Sequence, residues 1–194
     1  MTKTLSKLLR LSASLFVSSF SLLADSTSVA QPAPEWDAIF QRTNGWIGAD
    51  GNYSVRLAPD KILWLFSDTW IGDVVDGKRV HPRMINNSFG IQRGTNPATA
   101  SVDFFYGQDK EGKAEAFIKP ENGRGYFWLF ATTRTSEGVF IFLQNVENYK
   151  TGTPFGFRTF DTVIGQIKIP TTNRRSGKSN KPEFRSRSLS LTNN

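Results

Sequence analysis

The chain has 194 residues, no cysteine and one histidine, which excludes disulfides, thiolate metal sites, a thiol nucleophile and a histidine-rich zinc site. Its formal charge of +7 is concentrated at the ends. Residues 1–30 carry three basic residues and Asp25, and 173–194 carry six basic residues and Glu183, while 31–172 hold 15 basic and 15 acidic residues. The body is neutral, so the basic balance gives no reason to expect a nucleic-acid partner.

Lys3, Lys7 and Arg10 precede an uncharged, apolar and Ser-rich run from Leu11 to Ala24, and Ser28-Val29-Ala30 supplies a small-x-small cleavage pattern. Residues 1–30 therefore read as a secretory signal, with a mature start at Gln31 and a secreted or periplasmic destination. No later apolar stretch approaches ~18 residues, so no membrane partner is expected once the signal is removed. Residues 31–35, with Pro32 and Pro34, read as a linker.

Residues 36–170 read as all-β, because short apolar runs alternate with turn residues and long helical periodicity is absent. The expected strands are Tyr53 to Leu57, Ile62 to Ser67, Ile71 to Val75, Ser88 to Gln92, Tyr126 to Ala131, Val139 to Val146, Phe155 to Phe160 and Val163 to Ile169. Asp76-Gly77 is a strong hairpin turn. Ile62-Leu63-Trp64-Leu65-Phe66 is echoed 64 residues later by Tyr126-Phe127-Trp128-Leu129-Phe130. Each copy is expected to open a group of about four strands, the pattern of propeller blades. Residues 171–194 are polar, basic and Ser-rich and are expected to be disordered.

The chemistry-bearing residues lie around the first two strands. A three-residue loop at 58–60 pairs Leu57 with Lys61, an index sum of 118, and Asp50 and Asp68 share that sum. They then face each other across one side of the hairpin. A four-residue loop gives 119 and separates them, unless a bulge at Gly51 restores the register. In the first register Tyr53, Val55, Leu57, Leu63 and Leu65 take the face suited to packing between blades. Asn52, Ser54, Trp64 and Phe66 share the other face with the aspartates. Like charges opposed across a strand pair are unfavourable, so a reason other than structure is expected for them. Glycoside hydrolysis supplies one: a carboxylic acid protonates the leaving oxygen, and a second carboxylate attacks or activates water. Opposed Cβ atoms about 4.5–5.5 Å apart suit the ~5 Å carboxyl spacing of a retaining mechanism. The echo carries Ala114 and Thr132 at the matching positions, so the strand motif does not need the acids.

Trp46, Trp64 and Trp70 are candidates for stacking on sugar rings, and each is equally suited to a core. Arg83, Asn86 and Asn87 precede a strand and are candidates for hydrogen bonding to sugar hydroxyls. His81, beside Pro82, reads as a surface residue. No metal and no organic cofactor are expected.

The segments Trp46 to Ser54, Leu63 to Gly72 and Asn86-Asn87-Ser88 resemble secreted bacterial proteins of domain-of-unknown-function family 4185, which are similar to five-bladed β-propeller glycosidases. The resemblance covers roughly residues 40–170. It implies a propeller fold, activity on arabinan-type furanose polymers, and two catalytic aspartates in the first blade, here Asp50 and Asp68. It also implies a ring larger than this chain, so about two blades of a truncated propeller are expected. The alternative function is a non-catalytic glycan-binding or surface-interaction β-propeller module.

Overall fold

The computed structural model describes residues 30–150, 152–153, 155–168 and 183–186. The expected signal lies outside them except for Ala30. Among the described residues no helix is long and apolar enough to cross a membrane.

The folded body starts earlier than the expected linker boundary. A short helix α1 (Pro34–Asp37) runs into a 3-10 turn at Ala38–Phe40. Pro34 suits a first helical position, where its missing N–H costs nothing. Ile39 is buried, and Phe40 meets Trp64 edge-on at 5.0 Å.

The remaining elements are antiparallel strands. The first sheet has the order β1-β4-β5 and contains β1 (Asn44–Ala49), β4 (Thr69–Val75) and β5 (Lys78–Ile85). The second has the order β2-β3-β6-β7, from β2 (Tyr53–Ala58), β3 (Lys61–Phe66), β6 (Ser88–Arg93) and β7 (Ser101–Phe105). A small ladder joins β8 (Gly107–Gln108) to β9 (Ala114–Glu115). The third main sheet has the order β10-β11-β12-β13, from β10 (Tyr126–Thr135), β11 (Gly138–Asn148), β12 (Phe157–Lys168) and β13 (Glu183–Ser186). The all-β expectation is therefore met.

Two expected details change. Of the segment 171–194, expected to be disordered, only 183–186 are among the described residues; they form β13, which pairs with β12 from Gly165↔Ser186 to Lys168↔Glu183, and the rest of the expected tail lies outside the described residues. A ladder needs backbone donors and acceptors rather than apolar side chains, so a charge-rich segment can close a sheet edge. The 64-residue echo also joins unlike positions. Ile62 to Phe66 lies in β3, the second strand of its sheet, whereas Tyr126 to Phe130 lies in β10, the first of its own. The counterpart of β3 by position is β11, whose inward residues Val139, Ile141 and Leu143 alternate as Leu63 and Leu65 do.

The hairpin register explains the placement of the aspartates. The turn is Pro59-Asp60, with Ala58 opposite Lys61. An extra residue at Leu57 then shifts the pairing, so that Arg56↔Ile62, Ser54↔Trp64 and Tyr53↔Leu65 carry the index sum of 118. The turn is thus shorter than the expected three-residue loop, and its index sum of 119 is brought back to 118 by a bulge that falls at Leu57 and not at Gly51. The same sum continues into the first sheet as Ala49↔Thr69 and Gly48↔Trp70. One long hairpin thus crosses from one sheet to another, and the crossing point is Asp50–Asn52 against Ser67–Asp68.

Each face of the second sheet packs on its own core. Leu63, Leu65, Phe89 and Ile91 meet Phe127, Leu129, Val139, Ile141, Leu143 and Ile167 of the third sheet, with Val55 and Leu57 at the margin. These are the residues expected between blades, except that Tyr53 is exposed. Each fully buried Leu or Ile contributes about 1.5–3 kcal/mol. On the opposite face Phe66 packs with Trp46, Ile71 and Ile85, and Trp64 and Phe104 lie against them. That face is a second hydrophobic core rather than an open aromatic surface.

Candidate functional site

The site is built where the long hairpin bends. The Asp50 N–H donates to the Asp68 carbonyl at 3.0 Å, and the Ser67 N–H donates to the Asp50 carbonyl at 3.0 Å. Asp50 thus faces both Ser67 and Asp68, two residues against one. Asn52, in the left-handed region at φ +46°, turns the chain just beyond. The expected cross-strand pairing of the two aspartates is present in the backbone.

Ser67 fixes this bend to the third sheet. Its buried hydroxyl donates to the Leu129 carbonyl at 2.8 Å and accepts the Leu129 N–H at 3.0 Å. One hydroxyl therefore serves as a strand partner for β10. Outward-facing residues follow from that docking. Phe127 and Leu129 point into the core, so Tyr126 and Trp128 point out beside the bend. The Trp128 Nε1–H donates to the Asp68 Oδ1 at 2.8 Å and fixes the orientation of that carboxyl group.

Burial and a neighbouring charge both act on Asp50. The Asp50 carboxyl is raised above its ordinary value of 3.8, first by partial loss of water and then by the charge of Asp68. Hydrogen bonds from the backbone N–H groups of Asp68 and of Asp50 itself oppose the rise. Asp50 is exposed at the shoulder of the bend. Water is close at hand there, so the repulsion by Asp68 is the contribution that the paired geometry supports best. The Tyr126 phenol is likewise raised, by burial and then by the Asp68 charge.

Asp68 lines a cleft of about 310 Å³ together with Met84, Asn86, Tyr126, Trp128, Asn148 and Phe157. A larger cleft of about 450 Å³ shares Met84, Asn86 and Tyr126 and extends past Arg83 and Lys119. The shared walls make them neighbouring parts of one groove. Asp68 lines only the smaller part. Gly125 sets the entry of Tyr126 into this wall. It has φ +70°, and a Cβ there would lie 2.2 Å from the Val146 carbonyl oxygen. Only glycine fits this approach.

The sequence candidates divide sharply. Asp68 lines the smaller cleft, Arg83 the larger one and Asn86 both, while Asp50, joined to Asp68 through the backbone, lines neither. Trp46 is a core residue, only 7% exposed, stacked on Phe104 at 4.0 Å with its Nε1–H donated to Ser88 Oγ at 3.2 Å. Trp64 is half-buried, with its Nε1–H donated to Gln92 Oε1 at 2.9 Å. Trp70 packs under the Arg79 guanidinium at 5.1 Å. Asn87 is fully buried: its Nδ2 donates to the carbonyls of Ile118 and Phe127, both at 2.9 Å, and its Oδ1 accepts the Ile118 N–H at 2.8 Å. Its polar atoms face the backbone and not the groove. Asn52 is an exposed turn residue near the pair.

The sequence reading missed Tyr126, Trp128, Met84, Asn148 and Phe157. The parity of the β10 run carries the signal for the first two, since Tyr126 and Trp128 flank the buried Phe127 and must face outward. Among the described residues no group of three or more His, Asp or Glu is placed to hold a metal ion.

Among curated proteins none matches the sequence. Among solved structures, a putative hydrolase from Bacteroides ovatus ATCC 8483 has a similar fold, with a TM-score of 0.61 and 16% sequence identity over 83% of this chain and 50% of that one. This chain therefore spans half the length of that neighbour, and at such identity the likeness concerns the fold. The motifs around Asp50 and Asp68 suggested family 4185, but the family model that matches is a different one. It covers residues 34–192 and so includes the stretch that contains β13. The chain belongs to the family described as Domain of unknown function (DUF5005).

Proposed function

We propose that this chain is the glycan-cleaving part of an exported, propeller-type glycoside hydrolase acting on a furanose-containing polysaccharide of the arabinan type. In this reading the two four-stranded sheets are successive blades. Asp50 is the proton donor, and Asp68 is the nucleophile or general base. The observation that carries it is the backbone pairing of Asp50 with Asp68, whose carboxylate lines an aromatic-walled groove. A raised carboxyl beside a second, oriented one is the division of labour that glycoside hydrolysis needs. The direct backbone pairing supports the short spacing of about 5 Å used by retaining enzymes. The fold likeness to a protein named as a hydrolase is consistent with the same class of chemistry.

A second reading, a glycan-binding module without catalysis, is favoured by the openness of the groove on the side of Asp50, which is solvent-exposed. Incubating the protein with arabinan and measuring reducing ends separates the two. Release above the blank supports the hydrolase. Retention of the protein on the polymer without release supports the binding module. Neither release nor retention contradicts both.

A further inference from the structure

The groove does not end at the carboxyl pair. A row of aromatic rings leads away from it along the third sheet. Tyr126 meets Trp128 at 5.8 Å, Trp128 meets Phe157 at 4.9 Å, and Phe157 meets Phe155 at 6.3 Å, each edge to face. Trp128 is also the donor to Asp68, so the row starts at the reacting group. It ends on Phe155, which is 80% exposed. Nearby, Tyr149 is 51% exposed and carries the Lys150 ammonium and the Arg158 guanidinium over its ring, each 5.5 Å from the centroid. Arg158 is held in turn by Glu147 at 2.7 Å. Single exposed apolar residues are ordinary, but a contiguous row running from a polar cleft marks a binding surface.

The chemistry of this row selects a ligand. Successive aromatic edges and faces, 4.9 to 6.3 Å apart between centroids, offer extended apolar contact, and Tyr126 and Asn148, 3.4 Å apart at their polar atoms, offer hydrogen bonds beside them. A polymer of rings that are apolar on one face and hydroxylated at the edge fits both features. A single terminal sugar held in the cleft beside Asp68 would leave Phe155, outside the cleft lining and 80% exposed, uncovered. Resting on the function proposed above, we propose that Trp128, Phe157 and Phe155 form a stacking platform, so that the site takes several consecutive sugar units and acts within a chain rather than on its end.

The test uses the full chain carrying Asp68→Asn, with and without Phe155→Ala, and arabino-oligosaccharides of two to six units as probes in calorimetric titrations. With Phe155 present, affinity is expected to rise steeply from two to six units. Phe155→Ala is expected to remove about 3- to 10-fold of that rise, the scale of one aromatic contact. Val75→Ala, at an exposed hairpin tip, serves as the control and is expected to leave the rise intact. A flat length dependence, or a rise that Phe155→Ala does not alter, overturns the platform while leaving the hydrolase reading to the arabinan assay. Failure to bind any length, together with no release from arabinan, overturns both.

Discussion

Asp68→Asn is expected to lower reducing-end release from arabinan by about 10²–10⁴-fold, the usual contribution of a positioned acid–base group. The substitution is clean. The asparagine Oδ1 can still accept the Trp128 Nε1–H that Asp68 accepts at 2.8 Å, so the local packing survives while the negative charge is lost. Asp50→Asn should match it on the polysaccharide but cost less on an aryl furanoside with an acidic phenol, whose leaving group needs no proton. That difference assigns the donor role to Asp50. Equal losses on both substrates would contradict the assignment, and full activity in either variant would contradict the hydrolase reading. Circular dichroism of each variant must match that of the parent chain.

Asn87→Ala is expected to be the most destabilising single change near the site, by about 3–5 kcal/mol, read as a fall in the urea midpoint. The side chain is completely buried and makes three hydrogen bonds to the backbone of Ile118 and Phe127. Truncation strands one N–H and two carbonyls in an apolar interior, at about 1–3 kcal/mol for each group left unpaired. Domains are stable by only about 5–15 kcal/mol, so such a loss is a large share of the total. The neighbouring Asn86 lines the cleft and is half-buried, and its change to Ala should cost well under about 1 kcal/mol. Similar midpoints for the two variants would show that the buried network does not hold β10 and the 117–118 segment together.

Much of the hairpin was legible because strand parity is rigid. Once Tyr53 and Leu65 are opposed, Asp50 and Asp68 follow, and so does the inward set Val55, Leu57, Leu63 and Leu65. The turn itself was misread, since the compensating bulge at Leu57 leaves no mark in composition. The strand β5 was missed because Lys-, Arg- and His-rich edge strands lack apolar alternation, and Pro82 discourages a strand reading except at an edge. Burial of Trp46 and Asn87 depends on neighbours far along the chain, Phe104 for the first and Ile118 and Phe127 for the second. No local pattern reveals such contacts. The same is true of the meeting of Trp128 with Asp68, which requires the third sheet to dock through Ser67.

The central claim is that Asp50 and Asp68 act on one another as a carboxyl pair. Carbon-13 NMR titration of the aspartate carboxyls tests it without a substrate. The Asp50 midpoint is expected above its ordinary value of 3.8 and is expected to move down when Asp68 is replaced by Asn. Because the folded-state value is raised, stability from this group is greatest below pH 3.8 and declines as the pH rises through the folded midpoint. An Asp50 midpoint that ignores the loss of the Asp68 charge would show that the two groups do not form a pair.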